Sequence, residues 1–271
     1  MRPKLVALDL DGTLIGRDLA ISPTVRAAVL RMSDFGVRGV IVTGRMYRAA
    51  LPFARALEFE SPLVCYQGAA IVDPSTDTVL RDTPLSNAVV REVIDVAQRH
   101  GMHLQLYRND AYYCEQRNAF SDLYAELARV EPTIVPSLRV TFAESEATKA
   151  VVVAEPNDAL RFLAQLKAAL GARAYVTRSC PEFVEILNPS VDKGEALGFL
   201  AAHLGIRIED TLAIGDSWND APLLRAAGFG VAMGSAPPEL LAVADAVVGD
   251  VEQDGVAEAL ERYVFAAETS E

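Results

Sequence analysis

The chain has 271 residues, of which 51% are hydrophobic and 23% charged, a composition typical of a globular protein with one large or two modest domains. Its formal net charge of -12 argues against nucleic acid as a partner. No apolar run approaches the roughly 20 residues that a membrane-spanning helix needs, so we expect no membrane association. Charged residues interrupt any signal-peptide pattern near the N-terminus, and the three cysteines lack metal-type spacing. A reduced, cytoplasmic location is therefore expected.

The first part of the chain alternates between strand and helix patterns. The apolar run 5–8 predicts a strand buried on both faces of a parallel sheet, and the run 39–42 predicts a second one. Between them, apolar residues at helical spacing predict a helix over 22–36. A strand–helix–strand unit of this kind makes the two strands parallel. Asp9 and Thr43, which follow the strands, should therefore emerge at the same edge of one sheet.

The middle of the chain has the texture of an antiparallel α+β layer. A hairpin and a short strand precede this layer, at 63–66, 69–72 and 78–80. Within the layer the pattern predicts helices near 86–101, 118–130 and 157–170, and strands near 104–107, 111–115, 149–154, 174–177 and 183–187. Residues 131–147, which include two prolines, have no clear pattern.

The parallel texture returns after residue 188. Helices are predicted near 193–204, 221–227, 238–244 and 251–263, with strands near 211–214, 230–233 and 246–248. The predicted fold class is therefore α/β, with a doubly wound parallel-sheet core and an inserted α+β domain. The expected division is residues 1–82 and 189–271 for the core and residues 83–188 for the insertion.

Two carboxylates, Asp9 and Asp11, stand at the end of the first predicted strand and are followed at once by Gly12. Aspartate often only caps a turn, but two like charges held this close are costly to bury unless a cation or a proton compensates them. Mg²⁺ prefers oxygen ligands of this kind. The pair lies where open α/β sheets bind their ligands, so the sequence predicts a metal site there.

Polar groups follow three further predicted elements at the same edge. They are Thr43 and Gly44, Lys193 at a helix start, and the run 215–220, which reads Gly-Asp-Ser-Trp-Asn-Asp. Phosphoryl transfer requires a nucleophile, a metal, a cation and amide donors, because negative charge spreads over the equatorial oxygens in its transition state. The four groups together therefore predict chemistry on a phosphate.

The order of these motifs resembles that of the haloacid dehalogenase (HAD) superfamily of phosphohydrolases: Asp-x-Asp-Gly-Thr, then Thr-Gly-Arg, then a lone lysine, then Gly-Asp-x-x-Asn-Asp. The insertion between the threonine and the lysine resembles the Cof-like branch, which carries a large α/β cap (type IIB). The resemblance implies a Rossmann-like core, an aspartyl-phosphate intermediate and Mg²⁺ as cofactor.

The resemblance also implies roles for the carboxylates. Asp9 would be the nucleophile, and Asp11 would protonate the leaving group and later deprotonate water. The Mg²⁺ ligands would be the Asp9 and Asp216 carboxylates and the backbone carbonyl of Asp11. Asp220 would orient Lys193 or a metal-bound water.

The remaining implied roles concern the phosphate and the leaving group. The phosphate would be held by the Thr43 hydroxyl, the Leu10 and Gly44 amides, Lys193 and Asn219, the last of which could instead act near the metal. Candidate substrate contacts are Arg45, Gln67, Arg178, Glu182 and Asn188. Gln67 departs from the branch, whose members often carry Asn-Gly-Ala where this chain has Gln67-Gly68-Ala69.

The sequence thus predicts a Mg²⁺-dependent phosphatase acting on a small soluble phosphomonoester, either a sugar phosphate or a phosphorylated cofactor such as pyridoxal phosphate or flavin mononucleotide. Two alternatives remain open. One is a phosphomutase of the phosphomannomutase type, which returns the phosphoryl group to a sugar. The other is a sugar-phosphate sensor that keeps the fold without turnover. The sequence leaves the oligomeric state undetermined.

Overall fold

The computed structural model describes residues 2–266. The first section of the chain contains five strands and two helices. They are β1 (Leu5–Leu8), α1 (Pro23–Arg31), β2 (Arg38–Ile41), α2 (Tyr47–Ala56), β3 (Leu63–Cys65), β4 (Ala70–Asp73) and β5 (Thr78–Asp82). The predicted helix over 22–36 is α1 continued by a 3-10 turn, with Ser22 as its N-cap and Gly36 in a left-handed conformation at its end. The predicted hairpin is β3 paired antiparallel with β4.

The middle section forms a separate six-stranded sheet with helices against it. Its elements are α3 (Asn87–His100), β6 (His103–Arg108), β7 (Ala111–Cys114), α4 (Ala119–Ala128), β8 (Thr133–Ile134), α5 (Leu138–Thr141), β9 (Lys149–Val153), α6 (Pro156–Leu170), β10 (Tyr175–Cys180) and β11 (Phe183–Leu187). The strand order is β10-β11-β9-β6-β7-β8, antiparallel except between β7 and β8. We call residues 87–187 the inserted layer.

The last section returns to the first sheet. Its elements are α7 (Lys193–His203), β12 (Thr211–Gly215), α8 (Ala221–Ala226), β13 (Phe229–Ala232), α9 (Pro238–Leu241), β14 (Ala246–Val247) and α10 (Gly255–Leu260). Strands from both ends of the chain make one parallel sheet in the order β14-β13-β12-β1-β2. The α/β fold class is therefore confirmed, whereas the division at residues 82 and 188 stays a prediction.

The parallel sheet is apolar on both faces, which explains its near-continuous hydrophobic strands. On one face, Val6 and Leu8 pack in the same cluster as residues of α1 and α10, and on the other, Leu5 and Ala7 pack with residues of α7 and α8. The charged groups of the chain are therefore left to the strand ends. None of the helices between residues 2 and 266 combines the length and apolar character needed to cross a bilayer.

Three features differ from the sequence prediction. The helix α2 was not predicted, because its proline, Pro52, interrupts an otherwise short pattern. The predicted helix over 251–263 is divided into a 3-10 turn, α10 and a π-helical turn, broken at Asp254, whose φ is 55°. The helix predicted over 238–244 is only four residues long as α9. The cysteines are free thiols at buried or partly buried positions, as expected.

Candidate active site

The site is built where the central strands of the parallel sheet end. Asp9 follows β1, and the run that contains Asp216 and Asn219 follows the neighbouring strand β12. Thr43 follows β2 on the other side of β1. Because parallel strands present their carboxyl ends at one edge, residues more than 200 positions apart in sequence meet there.

Three acidic residues, Asp9, Asp216 and Asp220, form a cluster at this edge of the sheet. Within residues 2–266, Lys193 is the only cationic residue bonded directly to them, and its side chain, at the start of α7, is fully buried. Its Nζ donates to Asp9 Oδ1 at 2.6 Å and to Asp220 Oδ1 at 2.5 Å. Burial alone would lower the pKa of Lys193, but the Asp220 and Asp9 carboxylates raise it. The lysine therefore stays charged and holds Asp9 in one orientation.

Asp220 stabilises both the Lys193 side chain and the loop that follows β12. Besides Lys193, it accepts from the backbone N–H groups of Asp216 and Ser217 through Oδ2, both at 3.0 Å. Both of its oxygens are therefore engaged. Asp220 thus contacts both Lys193 and the backbone of its own loop.

A cluster of carboxylates at the site is suited to a divalent cation. Oxygens of Asp9, Asp216 and Asp220 lie within 4.8 Å of one another. Burial and the negative charge of Asp220 raise the pKa of Asp9 to about 7, and burial together with Asp9 raises that of Asp216 well above its usual range. These shifts show an excess of buried negative charge that a cation would relieve. Since Asp220 is already engaged, Asp9 and Asp216 could hold such an ion.

Gly12 makes the close approach of Asp216 possible. A side-chain Cβ at position 12 would lie 2.2 Å from Asp216 Oδ2, and the φ of Gly12 is +81°. Glycine is the residue that tolerates both conditions. Thr13, in the same turn, donates its hydroxyl to Asp216 Oδ1 at 3.1 Å. The sequence Gly-Thr after the two aspartates thus shapes the carboxylate cluster.

Several polar groups of the motif segments have no protein hydrogen-bond partner. Within residues 2–266 the backbone amides of Leu10 and Gly44 donate to no protein acceptor, and Asp9 Oδ2 accepts from none. The hydroxyl of Thr43, which is buried, accepts from the Arg45 amide at 3.1 Å and keeps its own proton available. These groups could bind the oxygens of a phosphate.

Arg45 lies in the parallel-sheet unit and binds Asp11. Its Nε and Nη2 donate to the two oxygens of the Asp11 carboxylate at 2.8 and 2.6 Å. The guanidinium is 7% exposed and the carboxylate 50%. Both Arg45 and Asp11 line the cavity described next.

A cavity of about 610 Å³ opens above the carboxylate cluster, between the parallel sheet and the inserted layer. Its floor includes Asp9, Thr43, Asp216 and Asn219. Its opposite wall is largely apolar and comes from the inserted layer: Tyr124, Leu127, Val151, Cys180, Pro181 and Phe183. A small molecule with a phosphate at one end and an apolar body would match these two surfaces.

Four of the five candidate substrate contacts, all except Arg45, lie outside the cavity lining. Arg178 stacks on Trp218, with its guanidinium carbon 4.3 Å from the ring centre. Glu182 accepts the Ala154 amide through its backbone carbonyl. Asn188 donates to the carbonyl of Pro84 at 2.8 Å and so joins the two chain segments that connect the sheets.

Two charged residues that sequence reasoning missed line the cavity. Lys149 and Glu185 form an ion pair at 2.7 Å on the inserted layer and are almost completely buried. The signal was present in the sequence, because each is the one charged residue in a strand of apolar residues. Gln67, a predicted site residue, lies beside them with a φ of 60° and bonds to Glu185.

Comparison with known proteins identifies the family. Residues 6–260 match the model of the haloacid dehalogenase-like hydrolases, and the chain belongs to this family. The chain is 31% identical to the pyridoxal phosphate phosphatase YbhA of Escherichia coli K12 over 95% of this chain and 97% of that protein.

Two further matches extend the comparison. The chain is 29% identical to the 5-amino-6-(5-phospho-D-ribitylamino)uracil phosphatase YitU of Bacillus subtilis 168, over 97% of this chain and 98% of that protein. The HAD subclass IIB sugar phosphatase BT4131 shares the fold, with a TM-score of 0.84 and 20% identity over 96% of this chain and 98% of its own. The protein is a HAD-like phosphatase of the Cof-like branch, and the resemblance seen in the sequence is confirmed.

Proposed function

We propose that the protein is a Mg²⁺-dependent phosphomonoesterase that hydrolyses a small phosphorylated cofactor through an aspartyl-phosphate on Asp9. The observation that supports the proposal is the hydrogen bonding of the two Asp9 carboxylate oxygens. One oxygen is fixed by Lys193 at 2.6 Å, and the other faces the cavity without a protein donor in residues 2–266. A fixed carboxylate with one free oxygen is suited to nucleophilic attack.

The metal would be held by the Asp9 and Asp216 carboxylates and the Asp11 backbone carbonyl. The carboxylate donor set and the raised pKa values of Asp9 and Asp216 fit a hard divalent cation. Bound there, Mg²⁺ would supply positive charge that offsets the buried carboxylates and the phosphate.

The residues of the chain account for the remaining steps. The free oxygen of Asp9 attacks phosphorus, the bond from phosphorus to the ester oxygen breaks, and Asp11 gives its proton to the departing alkoxide. Asp11 then takes a proton from the water that attacks the aspartyl-phosphate, which releases phosphate and restores Asp9. Thr43, Lys193 and the two free amides hold the phosphoryl oxygens.

Arg45 bears on the proton-transfer step. Its two hydrogen bonds hold the Asp11 carboxylate at the cavity wall. Because both Asp11 oxygens accept from Arg45, Asp11 must release one of these bonds before that oxygen can carry the proton for the leaving group. We infer that Arg45 holds Asp11 in place between the proton-transfer steps.

The composition of the cavity wall supports one substrate class. Residues 83–188 would form the cap, which covers the phosphate site and keeps water out. Its apolar wall, with Tyr124 and Phe183, favours a flat cofactor phosphate over a polyhydroxylated sugar. Pyridoxal phosphate is the candidate that we favour, in keeping with the relative from Escherichia coli. A cytoplasmic location fits the three free cysteines.

The test is phosphate release from a panel of phosphomonoesters, each with Mg²⁺ and with EDTA. The panel contains pyridoxal phosphate, flavin mononucleotide and several hexose phosphates. Mg²⁺-dependent release that is fastest with a cofactor phosphate supports the proposal. Equal or faster release from hexose phosphates contradicts the substrate class, and no release from any compound contradicts the activity.

Two further outcomes identify the alternatives. Isomerisation of a hexose phosphate that requires a hexose bisphosphate, with little free phosphate, would indicate a mutase. Tight binding of a sugar phosphate without turnover would indicate a sensor.

A further inference from the structure

The ion pair of the inserted layer lies in an apolar setting. Lys149 opens β9, and Glu185 stands opposite Val151 on the neighbouring strand β11, so both side chains share one face of the sheet. The side chains are 2% and 3% exposed. The opposite face of the same strands is wholly apolar and packs in the core between α3 and α6. Removing a charge pair from water this completely costs desolvation free energy, so the pair by itself is weak evidence for added stability.

The pair connects the inserted layer to the phosphate site. Lys149 Nζ donates to the backbone carbonyl of Gly44 at 2.7 Å as well as to Glu185 Oε2 at 2.7 Å. Glu185 Oε1 accepts from Gln67 Nε2 at 2.7 Å. A Cβ at position 44 would lie only 2.4 Å from Gln67 Nε2, so the glycine leaves the space that this contact occupies.

A chain of hydrogen bonds then continues from Gln67 into the motif after β12. Gln67 Oε1 accepts from Asn219 Nδ2 at 3.0 Å. The other end of the Asn219 amide, Oδ1, is buried and has no hydrogen-bond partner within residues 2–266. Asn219 lines the cavity floor together with Asp9 and Asp216.

In this series of hydrogen bonds, the Glu185 carboxylate determines which group donates in each bond. The Glu185 carboxylate can only accept hydrogen bonds, so Gln67 must present its NH₂ group to it. The Gln67 carbonyl oxygen therefore faces Asn219, which must in turn present its own NH₂ group. The oxygen of Asn219, a residue of the cavity floor, is consequently the group left without a partner.

We propose that Lys149 and Glu185 are positioning residues that act through Gln67 to hold the Asn219 oxygen at the cavity floor as an acceptor for a hydrated divalent cation. This inference rests on the proposed function, because it assigns the cation to the Asp9 and Asp216 cluster. A buried oxygen without a partner beside two carboxylates is a suitable acceptor for a cation or for water bound to it.

The arrangement also couples the two halves of the molecule. Lys149 and Glu185 belong to the inserted layer, whereas Gly44, Gln67 and Asn219 belong to the parallel-sheet unit. We call the hydrogen bonds that run from Lys149 and Glu185 through Gln67 to Asn219 the relay. All of them form together only when the inserted layer and the parallel-sheet unit are packed as they are here. The floor of the phosphate site is therefore fully oriented only beneath the inserted layer.

The critical variant is Glu185→Gln, which keeps the size of the side chain. It should exchange the donor and acceptor roles in each hydrogen bond of the relay. Lys149 would hold the oxygen of the new amide, so its NH₂ group would face Gln67. Gln67 would turn over, Asn219 would follow, and an NH₂ group would replace the oxygen at the floor. Adding Gln67→Glu restores an acceptor-only group beside Asn219 and so restores the original direction.

The measurement is Mn²⁺ binding to the substrate-free protein, followed by electron paramagnetic resonance of the free ion. We expect Glu185→Gln to weaken Mn²⁺ binding by about 10-fold, in the range typical of groups that orient metal ligands. The double variant Gln67→Glu/Glu185→Gln should recover most of the affinity. The control is Tyr66→Phe, which removes a different bond between the two units, from the Tyr66 hydroxyl to Asp110 at 2.8 Å.

The outcomes are decisive in both directions. Unchanged Mn²⁺ affinity in folded Glu185→Gln protein overturns the proposal. An equal loss in Tyr66→Phe, or a loss in Glu185→Gln that the double variant does not reverse, also overturns it, because either result indicates only weakened packing between the units. Thermal unfolding of each variant establishes that it is folded. Since no substrate is used, the result stands apart from the phosphate-release test.

Discussion

The two buried charge clusters of this protein are composed differently. The cluster at the parallel-sheet edge joins Asp9, Asp216 and Asp220 to one lysine, and the pKa values of two of its carboxylates are raised. In the inserted layer one lysine meets one glutamate. Burial alone would raise the pKa of Glu185, but Lys149 lowers it overall. We call the first cluster incomplete, because three carboxylates share one lysine and a further cation would be needed to balance them. We call the second cluster complete, because its one carboxylate is balanced by its one lysine. An excess of buried negative charge thus distinguishes a cluster suited to bind a cation from an ion pair whose charges balance each other.

The largest expected effect comes from Asp9→Asn in the incomplete cluster. Turnover should fall by roughly 10⁴-fold or more, because the nucleophile is lost. The free energy of unfolding in EDTA should not decrease, since one of several like charges is removed. Steady-state kinetics and urea unfolding measure the two quantities, with the exposed Asp34→Asn as control. Activity near that of the wild type would disprove the nucleophile assignment.

Removing one partner of the complete cluster should instead affect stability. We expect Lys149→Met to lower the free energy of unfolding by about 3–5 kcal/mol, because Glu185 is left as a buried unpaired charge. The double variant Lys149→Met/Glu185→Gln should recover part of this loss. Urea unfolding provides the measurement, and Arg26→Met, in an exposed pair with Glu58, is the control with little expected change. A similarly small change for Lys149→Met would contradict the comparison.

A substitution at Gly12 tests how closely the incomplete cluster is packed. Gly12→Ala should cost about 1–3 kcal/mol of unfolding free energy, because it combines a positive φ with a Cβ placed against Asp216. Gly101→Ala is the matched control, since its φ is +62° and its Cβ would meet nothing within 4 Å. The difference between the two variants isolates the contact with Asp216. Equal costs would mean that backbone strain alone is responsible.

The smallest expected effect is a pH dependence of the complete cluster. The pKa of Glu185 is lower in the folded protein than in the unfolded chain, so its contribution to stability is present above the unfolded pKa of about 4.5 and is lost as pH falls through the folded value. Glu185→Gln should therefore show a shallower loss of stability with acid. Urea unfolding between pH 3 and pH 6 compares the slopes, and identical slopes would contradict the lowered pKa.

Prediction from sequence succeeded where local pattern and order in the chain carry the information. The apolar run before Asp9, the helix that follows Ser22 and the order of the four motifs are local properties, and they led to the α/β fold and the family. It missed α2, where Pro52 masks the helical pattern, and two of its candidate substrate contacts, Arg178 and Asn188, lie outside the cavity lining. Arg178 lies within β10 and Asn188 just after β11, and position in the sequence alone does not tell what the side chains of such residues contact.

The sequence by itself determined that two aspartates follow a buried strand, that a lysine and a Gly-Asp-x-x-Asn-Asp run follow later elements, and that these belong to one family. Only the tertiary structure decided that Arg45 binds Asp11 and that Lys149 and Glu185 reach Gly44 and Gln67. The reason is physical. Strand order brings the motif residues to one edge wherever the fold is formed, whereas contacts between the two units depend on how their surfaces pack. No local pattern in the chain encodes that packing.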